Sequence, residues 1–229
     1  QLDFGDFLAS LNLAQDNNSA GNNQLRPQQS WESELEIVRD FGDWGSATLE
    51  LFDHRVEDFL LWVPVTGGEA RGNIASARRR GLELTTTLQA DPLGWAGARL
   101  DVQLTAEDSS LTDPVTNDNR RFDGNSSFEI RLDFRHDIPA TPLAWGAECR
   151  RTNNELYYRT AEVRLDHNPA TFGALFLEHK DVFGLTVRLR AANLFNGQNV
   201  YRRTVYAGRR DISPVLFIED RLLEIGRVA

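Results

Sequence analysis

Polar and apolar side chains alternate residue by residue through most of this 229-residue chain, and a period of two restricts it to β-structure. From Trp31 to Ile37, Trp31, Ser33, Leu35 and Ile37 fall on one face and Glu32, Glu34 and Glu36 on the other. The same division separates Ala47, Leu49 and Leu51 from Thr48 and Glu50, and Leu82, Leu84, Thr86 and Leu88 from Glu83, Thr85 and Thr87. It recurs with Ala98, Leu100, Val102 and Leu104 against Arg99, Asp101, Gln103 and Thr105. Phe128, Ile130, Leu132 and Phe134 oppose Glu129, Arg131, Asp133 and Arg135, and Leu185, Val187, Leu189 and Ala191 oppose Thr186, Arg188 and Arg190. Weaker strands are read at Phe4–Leu13, Ala144–Arg150 and Arg159–Leu177, the last as one long strand or two short ones. About nine strands result, and helical periodicity is nearly absent.

The polar face carries Glu, Asp and Arg in register, which neighbouring strands could pair across a wet interior. Connections alternate between short and long. Asp40–Gly45, Asp91–Gly97, Asp137–Leu143 and His179–Gly184 read as tight turns rich in Gly, Pro and Asp. Ala14–Ser30, Phe59–Ala77, Ser109–Ser126 and Asn196–Leu223 read as long polar loops. Transmembrane barrels show this asymmetry, with all short turns at one end. A β-sandwich has no reason to adopt it. Trp44, Trp95, Trp145 and Phe183 cluster by the short turns, the level of an interfacial aromatic girdle.

Bulk properties fit this reading. The formal net charge is −9 and the mean hydropathy −0.43, with one cysteine and no methionine. No run approaches the roughly 18 apolar residues of a membrane helix, but a barrel strand needs only about 9–11 alternating ones. The acidic balance argues against a nucleic-acid partner, because no basic stripe is present to replace phosphate counterions. Cys149 alone excludes an internal disulfide and a cysteine-based zinc site.

Four segments in order resemble the barrel of TonB-dependent outer-membrane receptors. GNNQLRPQQSWESELE (21–36) resembles the family's loop-to-strand element, with Asn23 and Gln28 where Pro and Glu are usual. ATLELFDHRVEDFL (47–60), GNIASARRRGLEL (72–84) and LTVRLRAANLFN (185–196) resemble three later strands. The resemblance implies an all-β fold, a segment of nine to ten antiparallel strands from a transmembrane barrel of about 22. It also implies nutrient uptake driven by the TonB complex acting through an N-terminal plug. Neither plug nor aromatic final strand is recognised between residues 1 and 229, so the chain is expected to be the C-terminal portion of a barrel, truncated at both ends.

No catalytic set, cofactor site or metal site is expected. His54, His136, His167 and His179 are scattered, and His136 and His179 read as interfacial. The oxygen-rich segment 112–125 lacks EF-hand spacing and reads as a solvated loop. Recognition is what remains. Trp62, Tyr201, Arg202, Arg203, Tyr206, Arg209 and Arg210 fall in the expected long loops, and Tyr157 and Tyr158 in the connection just before the strand read from Arg159. Rings and guanidinium groups there suit an anionic or catecholate-like ligand, or lipopolysaccharide phosphates. Glu83, Arg99, Asp101, Arg131, Asp133, Arg188 and Arg190 are expected to face the lumen and to meet plug and water. A soluble carbohydrate-binding β-sandwich and a passive porin-like barrel are the alternatives.

Overall fold

A computed structural model describes residues 10–12, 17–66, 68–169, 171–224 and 226. Fifteen strands are described: β1 (Ser10–Asn12), β2 (Asn17–Ala20), β3 (Gln29–Asp40), β4 (Gly45–Val65), β5 (Gly68–Gln89), β6 (Ala98–Thr112), β7 (Asn119–Arg120) and β8 (Ser126–Asp137). They continue as β9 (Leu143–Asn154), β10 (Tyr157–Tyr158), β11 (Glu162–Pro169), β12 (Phe172–Val182), β13 (Leu185–Ala192), β14 (Gln198–Tyr206) and β15 (Val215–Glu224). Each long strand pairs antiparallel with its neighbours, in the order β3–β4–β5–β6–β8–β9–β12–β13, and the sheet does not close. Most of the expected strand at Phe4–Leu13 lies outside the described residues.

The sheet has two faces, because side chains on directly opposed residues point the same way. One outward rung runs Leu88, Leu100, Phe134, Ala147, Leu175, Ala191 through successive strand pairs. The next joins Ala47, Thr86, Val102, Leu132 and Cys149. Outward residues are apolar over Leu82–Leu88 of β5 apart from Thr86, over Ala98–Ala106 of β6, and over Leu143–Cys149 of β9. The stretches are 7, 9 and 7 residues long, at or just under the about 9–11 residues that cross a bilayer. Across the sheet the apolar band climbs, from Leu185–Ala191 on β13 to the Leu35–Ile37 end of β3. Strands tilted in a barrel wall produce such a slope. Leu189 and Leu185 are 68% and 66% exposed, which water does not favour but lipid does.

Short turns lie where the periodicity puts them: a 3-10 turn at Gly42–Trp44, another at Asp91–Leu93, and the reversals after β8 and β12. Beside them Trp95, Phe134, His136 and Trp145 form one ring cluster, with centroids 5.1–6.1 Å apart. Trp145 Nε1 donates to His136 Nδ1 at 3.0 Å, so this histidine is engaged with a ring of the cluster.

The opposite end departs from expectation in three places. Phe59–Ala77 is not a loop: β4 and β5 stay paired to Val65↔Gly68, giving strands of 21 and 22 residues. Its Gly and Pro residues suggest a loop, but burial of Leu60, Leu61 and Ala70 holds the hairpin together. Asn196–Leu223 is likewise largely the hairpin β14–β15, closed by residues 207–214. Between Arg159 and Leu177 two strands form. β11 pairs β14 and β12 pairs β13, yet the register continues from Val182↔Leu185 through Ala174↔Ala192 to Pro169↔Asn199 and Glu162↔Val205. The second sheet is therefore the upward continuation of the first.

Candidate functional site

Glu83, Arg99, Asp101, Arg131, Asp133, Arg188 and Arg190 share one face of the sheet, opposite the apolar rungs. Some of these charges pair between strands, Arg188 with Glu178 on its neighbour and Arg190 with Glu148 one strand beyond, and others are paired within one strand. Several directly opposed residues on this face carry like charge: Glu36, Glu50 and Glu83 form one row, Arg131 and Arg150 another, Asp101, Asp133 and Glu148 a third, Arg99 and Arg135 a fourth, whereas Glu178 and Arg188 stand opposed with opposite charge. Like charges across a rung are unfavourable, and the compensation comes from the adjacent rows. Arg99 reaches Asp101 at 3.0 Å and Arg131 reaches Asp133 at 2.6 Å along a single strand. Arg135 holds both Asp137 (2.9 Å) and Glu178 (2.7 Å), Arg188 holds Glu178 (3.1 Å), and Arg190 holds Glu148 (2.6 Å). The polar face is thus banded, with its hydrogen-bonding groups arranged in rows.

Rings interrupt the bands. Phe176 crosses onto Gly146 of β9, where an added Cβ would collide with that ring and with the Phe134 carbonyl, and Arg188 stacks on it at 4.1 Å. Phe52 covers Gly81 in the same way under Arg79, at 4.9 Å. A ring over a cross-strand glycine covers exposed backbone.

At the long-connection end, segment 113–125 folds over the inner side. Phe122 packs with Val56, Leu61, Ala77 and Leu111. Asp113 opens this segment and is 1% exposed. Its carboxylate accepts from the Val115 and Thr116 backbone N–H groups (2.8 and 3.0 Å), from Arg120 Nε (2.5 Å) and from an Arg210 guanidinium nitrogen (2.5 Å). Burial pushes this carboxyl up, but the four donors outweigh it and hold it below the usual range. Asp123, bound to Arg120 at 2.5 Å, goes the other way because its burial prevails. Tyr158 lies against both arginines, with Arg120 4.2 Å and Arg210 5.3 Å from its ring centre, and burial raises its phenol.

A second cluster adjoins it. Glu69 at the base of β5 is 5% exposed; it accepts from Arg159 Nε at 2.7 Å and from the Thr160 N–H at 3.1 Å. Arg159 in turn stacks on Trp62 at 3.9 Å, with Arg71 5.5 Å from the same ring. Arg210 Nε donates to the Arg159 carbonyl at 3.0 Å, which joins the two clusters.

Of the recognition residues read from sequence, Trp62, Tyr158 and Arg210 are therefore brought together, half-buried or buried, by Asp113, Glu69, Arg120 and Arg159. Those four were not singled out, because a loop acid or arginine looks the same whether solvated or buried. Tyr157 faces Arg164 at 5.3 Å and Tyr201 faces Arg221 at 5.3 Å. Arg203 pairs with buried Glu162 at 2.6 Å. Tyr206 ends β14, where its N–H donates to the Ala161 carbonyl at 2.9 Å. Arg202 and Arg209, 62% and 47% exposed at the side chain, pair with Asp220 across the β14–β15 ladder (2.6 Å) and with Asp211 in the connection between them (2.7 Å). Segment 112–125 is not the solvated loop expected, since Val115 and Phe122 are buried with Asp113.

Among the described residues, Glu32, Glu34 and His54 bring three ligand atoms within 4.8 Å. Glu32 and Glu34 are exposed, and Glu34 Oε1 already bonds His54 Nε2 at 3.1 Å. This is an exposed carboxylate bonded to a half-buried histidine whose ring packs against Phe52. His179 is engaged too, its Nδ1 accepting from the Asp181 N–H at 3.2 Å.

The family described as TonB dependent receptor-like, beta-barrel, matches residues 3–196. No curated protein matches the chain at a significant level.

Proposed function

Because the chain belongs to the TonB-dependent receptor β-barrel family, whose members are transporters of the Gram-negative outer membrane, we propose that it forms part of the wall of a receptor taking up a scarce solute. The supporting observation is the division of one sheet into an outward apolar band and an inward wall of charged rows. In this reading the short turns face the periplasm and the Asp113–Glu69 end faces outward. The residues belong to the C-terminal portion of a barrel of about 22 strands, whose lumen is filled by a plug. Rows such as Glu36–Glu50–Glu83 and Arg131–Arg150 would meet complementary charges on that plug and the water around it. TonB would deliver energy through the plug, which distinguishes the receptor from a passive porin.

The cargo class is an iron chelate, a vitamin or an oligosaccharide. Tyr157, Tyr201, Arg202 and Arg209 are the residues proposed to contact it directly, while Trp62, Tyr158 and Arg210 shape the entrance from beneath. Deleting the gene and supplying candidate solutes at limiting concentration tests this. Uptake of one class should be lost with the gene, and equally lost when TonB is removed. Uptake that persists without TonB would remove the receptor reading in favour of a pore.

A further inference from the structure

Strand pairing sets two carboxylates and an imidazole side by side on the polar face of β3 and β4. Glu32 stands directly opposite His54 in the ladder, and Glu34, two residues on, shares their face. Opposed side chains on one face start about 4.5–5.5 Å apart at Cβ, and a diagonal neighbour is within reach of a chain as long as glutamate. The result is a compact donor set. One oxygen of each glutamate and one ring nitrogen of His54 all lie within 4.8 Å of one another. His54 Nε2 and Glu34 Oε1 are 3.1 Å apart. Ligands of a four-coordinate zinc ion, bonded at about 2.0–2.1 Å, stand about 3.3 Å from each other, so this edge is already close to the required length.

Neighbouring contacts prepare these donors. The His54 ring packs against Phe52, with centroids 5.3 Å apart, which restrains its orientation towards the carboxylates. Ser30 Oγ donates to Glu32 Oε1 at 2.9 Å and so orients the second carboxylate from behind. Arg79, opposite His54 on β5, would repel a cation, but it is drawn to Glu107 at 2.7 Å and lies over the Phe52 ring at 4.9 Å. Charge balance leads the same way. Glu32, Glu36, Glu50 and Glu83 form no ion pair with any described residue, and Glu34 pairs with His54 alone among them. Five carboxylates on adjoining rungs therefore lack a lysine or arginine partner among the described residues. A patch of acids alone would attract any cation. The imidazole makes this set selective, because a ring nitrogen suits zinc, copper and nickel, whereas magnesium and calcium prefer oxygen. Glu32 and Glu34 are exposed, which leaves the ion a path from solvent.

We propose that Glu32, Glu34 and His54 form a binding site for one divalent transition-metal ion of the zinc class. His54 Nε2 and one carboxylate oxygen from each glutamate bind the ion, and water completes its coordination. The ion takes the place of the proton shared by Glu34 and His54, bridges β3 to β4, and offsets the acidic row beside it. The site needs only the β3–β4 register, so it holds whichever face of the sheet meets lipid. It has no sequence motif, because His54 lies 20 residues from Glu34 and meets it only through the hairpin.

The test adds zinc ion alone to the full-length protein in detergent, and the metal retained after dialysis is counted by elemental mass spectrometry. Wild type should keep about one zinc more than His54→Ala, and about one more than the Glu32→Gln, Glu34→Gln double variant. Glu50→Gln, which thins the acidic row without removing a ligand, should keep the wild-type count. Calcium or magnesium in roughly tenfold excess should displace none of that zinc. Equal zinc in wild type and His54→Ala, an equal loss in Glu50→Gln, or displacement by calcium would each overturn the site. Every variant is compared with wild type for heat-modifiable migration. If His54→Ala fails to fold, the double variant, altered only at exposed residues, decides the outcome. Failure of the barrel reading would be seen separately, as absence of that migration in the unsubstituted protein.

Discussion

Asp113 shows how a single loop residue comes to hold an entire end of the molecule. Buried with four donors, it cannot lose a partner without stranding charge; removing one member of a buried pair costs about 3–5 kcal/mol. Arg210→Ala is therefore expected to raise amide exchange across residues 113–125 and 157–162 while leaving β5, β6 and β8 protected. Unchanged exchange in those segments would show the ion pairs to be incidental. The pH dependence has opposite signs for the two acids. Asp113 sits below its unfolded value, so its contribution is complete above about pH 4 and fades as pH falls further. Asp123 sits above its unfolded value, so ionising it opposes the folded loop as pH rises. Asp113→Asn should then loosen the loop at pH 7 far more than Asp123→Asn, measured by exchange corrected for intrinsic rates. Segment 112–125 reads in sequence as solvated because nothing local distinguishes it. Its partners Arg210 and Glu155 lie 97 and 34 residues from the residues they bind.

At the scale of the strands, most of the architecture was legible. Period two placed β3, β5, β6, β8 and β13 and divided their faces correctly, because the hydrophobic pattern is the local cause of the register. Three features were hidden. The extension of β4–β5 and the β14–β15 hairpin depend on pairing and burial that Gly and Pro content misrepresents. The like-charge rungs depend on registers between strands, which no single strand encodes: Arg131 next to Asp133 in sequence reveals their ion pair, but not that Arg150 stands across from Arg131. The two faces make a sharp stability prediction. Arg at Val102 or Leu132, near the middle of the band, should cost about 2–4 kcal/mol of folding stability in lipid vesicles. Lys at Gln103 or Asn at Asp133, on the inner face, should cost far less in the same denaturant titration. Equal costs on the two faces would mean that the register is misassigned.

The whole molecule is a wall with two environments, and Cys149 reports on which is which. It is the chain's one thiol, outward between Leu132 and Gly173 within the apolar band. Asp133, beside Leu132 in sequence, lies on the opposite, polar face. The decisive measurement labels each position in turn with a bimane fluorophore in a receptor otherwise free of cysteine, reconstituted into vesicles whose acyl chains carry bromine. Label at Cys149 is expected to be quenched by the brominated chains and insensitive to aqueous iodide. Label at Asp133→Cys, with Cys149→Ser, is expected to reverse both responses. Iodide quenching at Cys149 with no effect of chain bromine would place the apolar face in water or protein, and would contradict a transmembrane barrel wall.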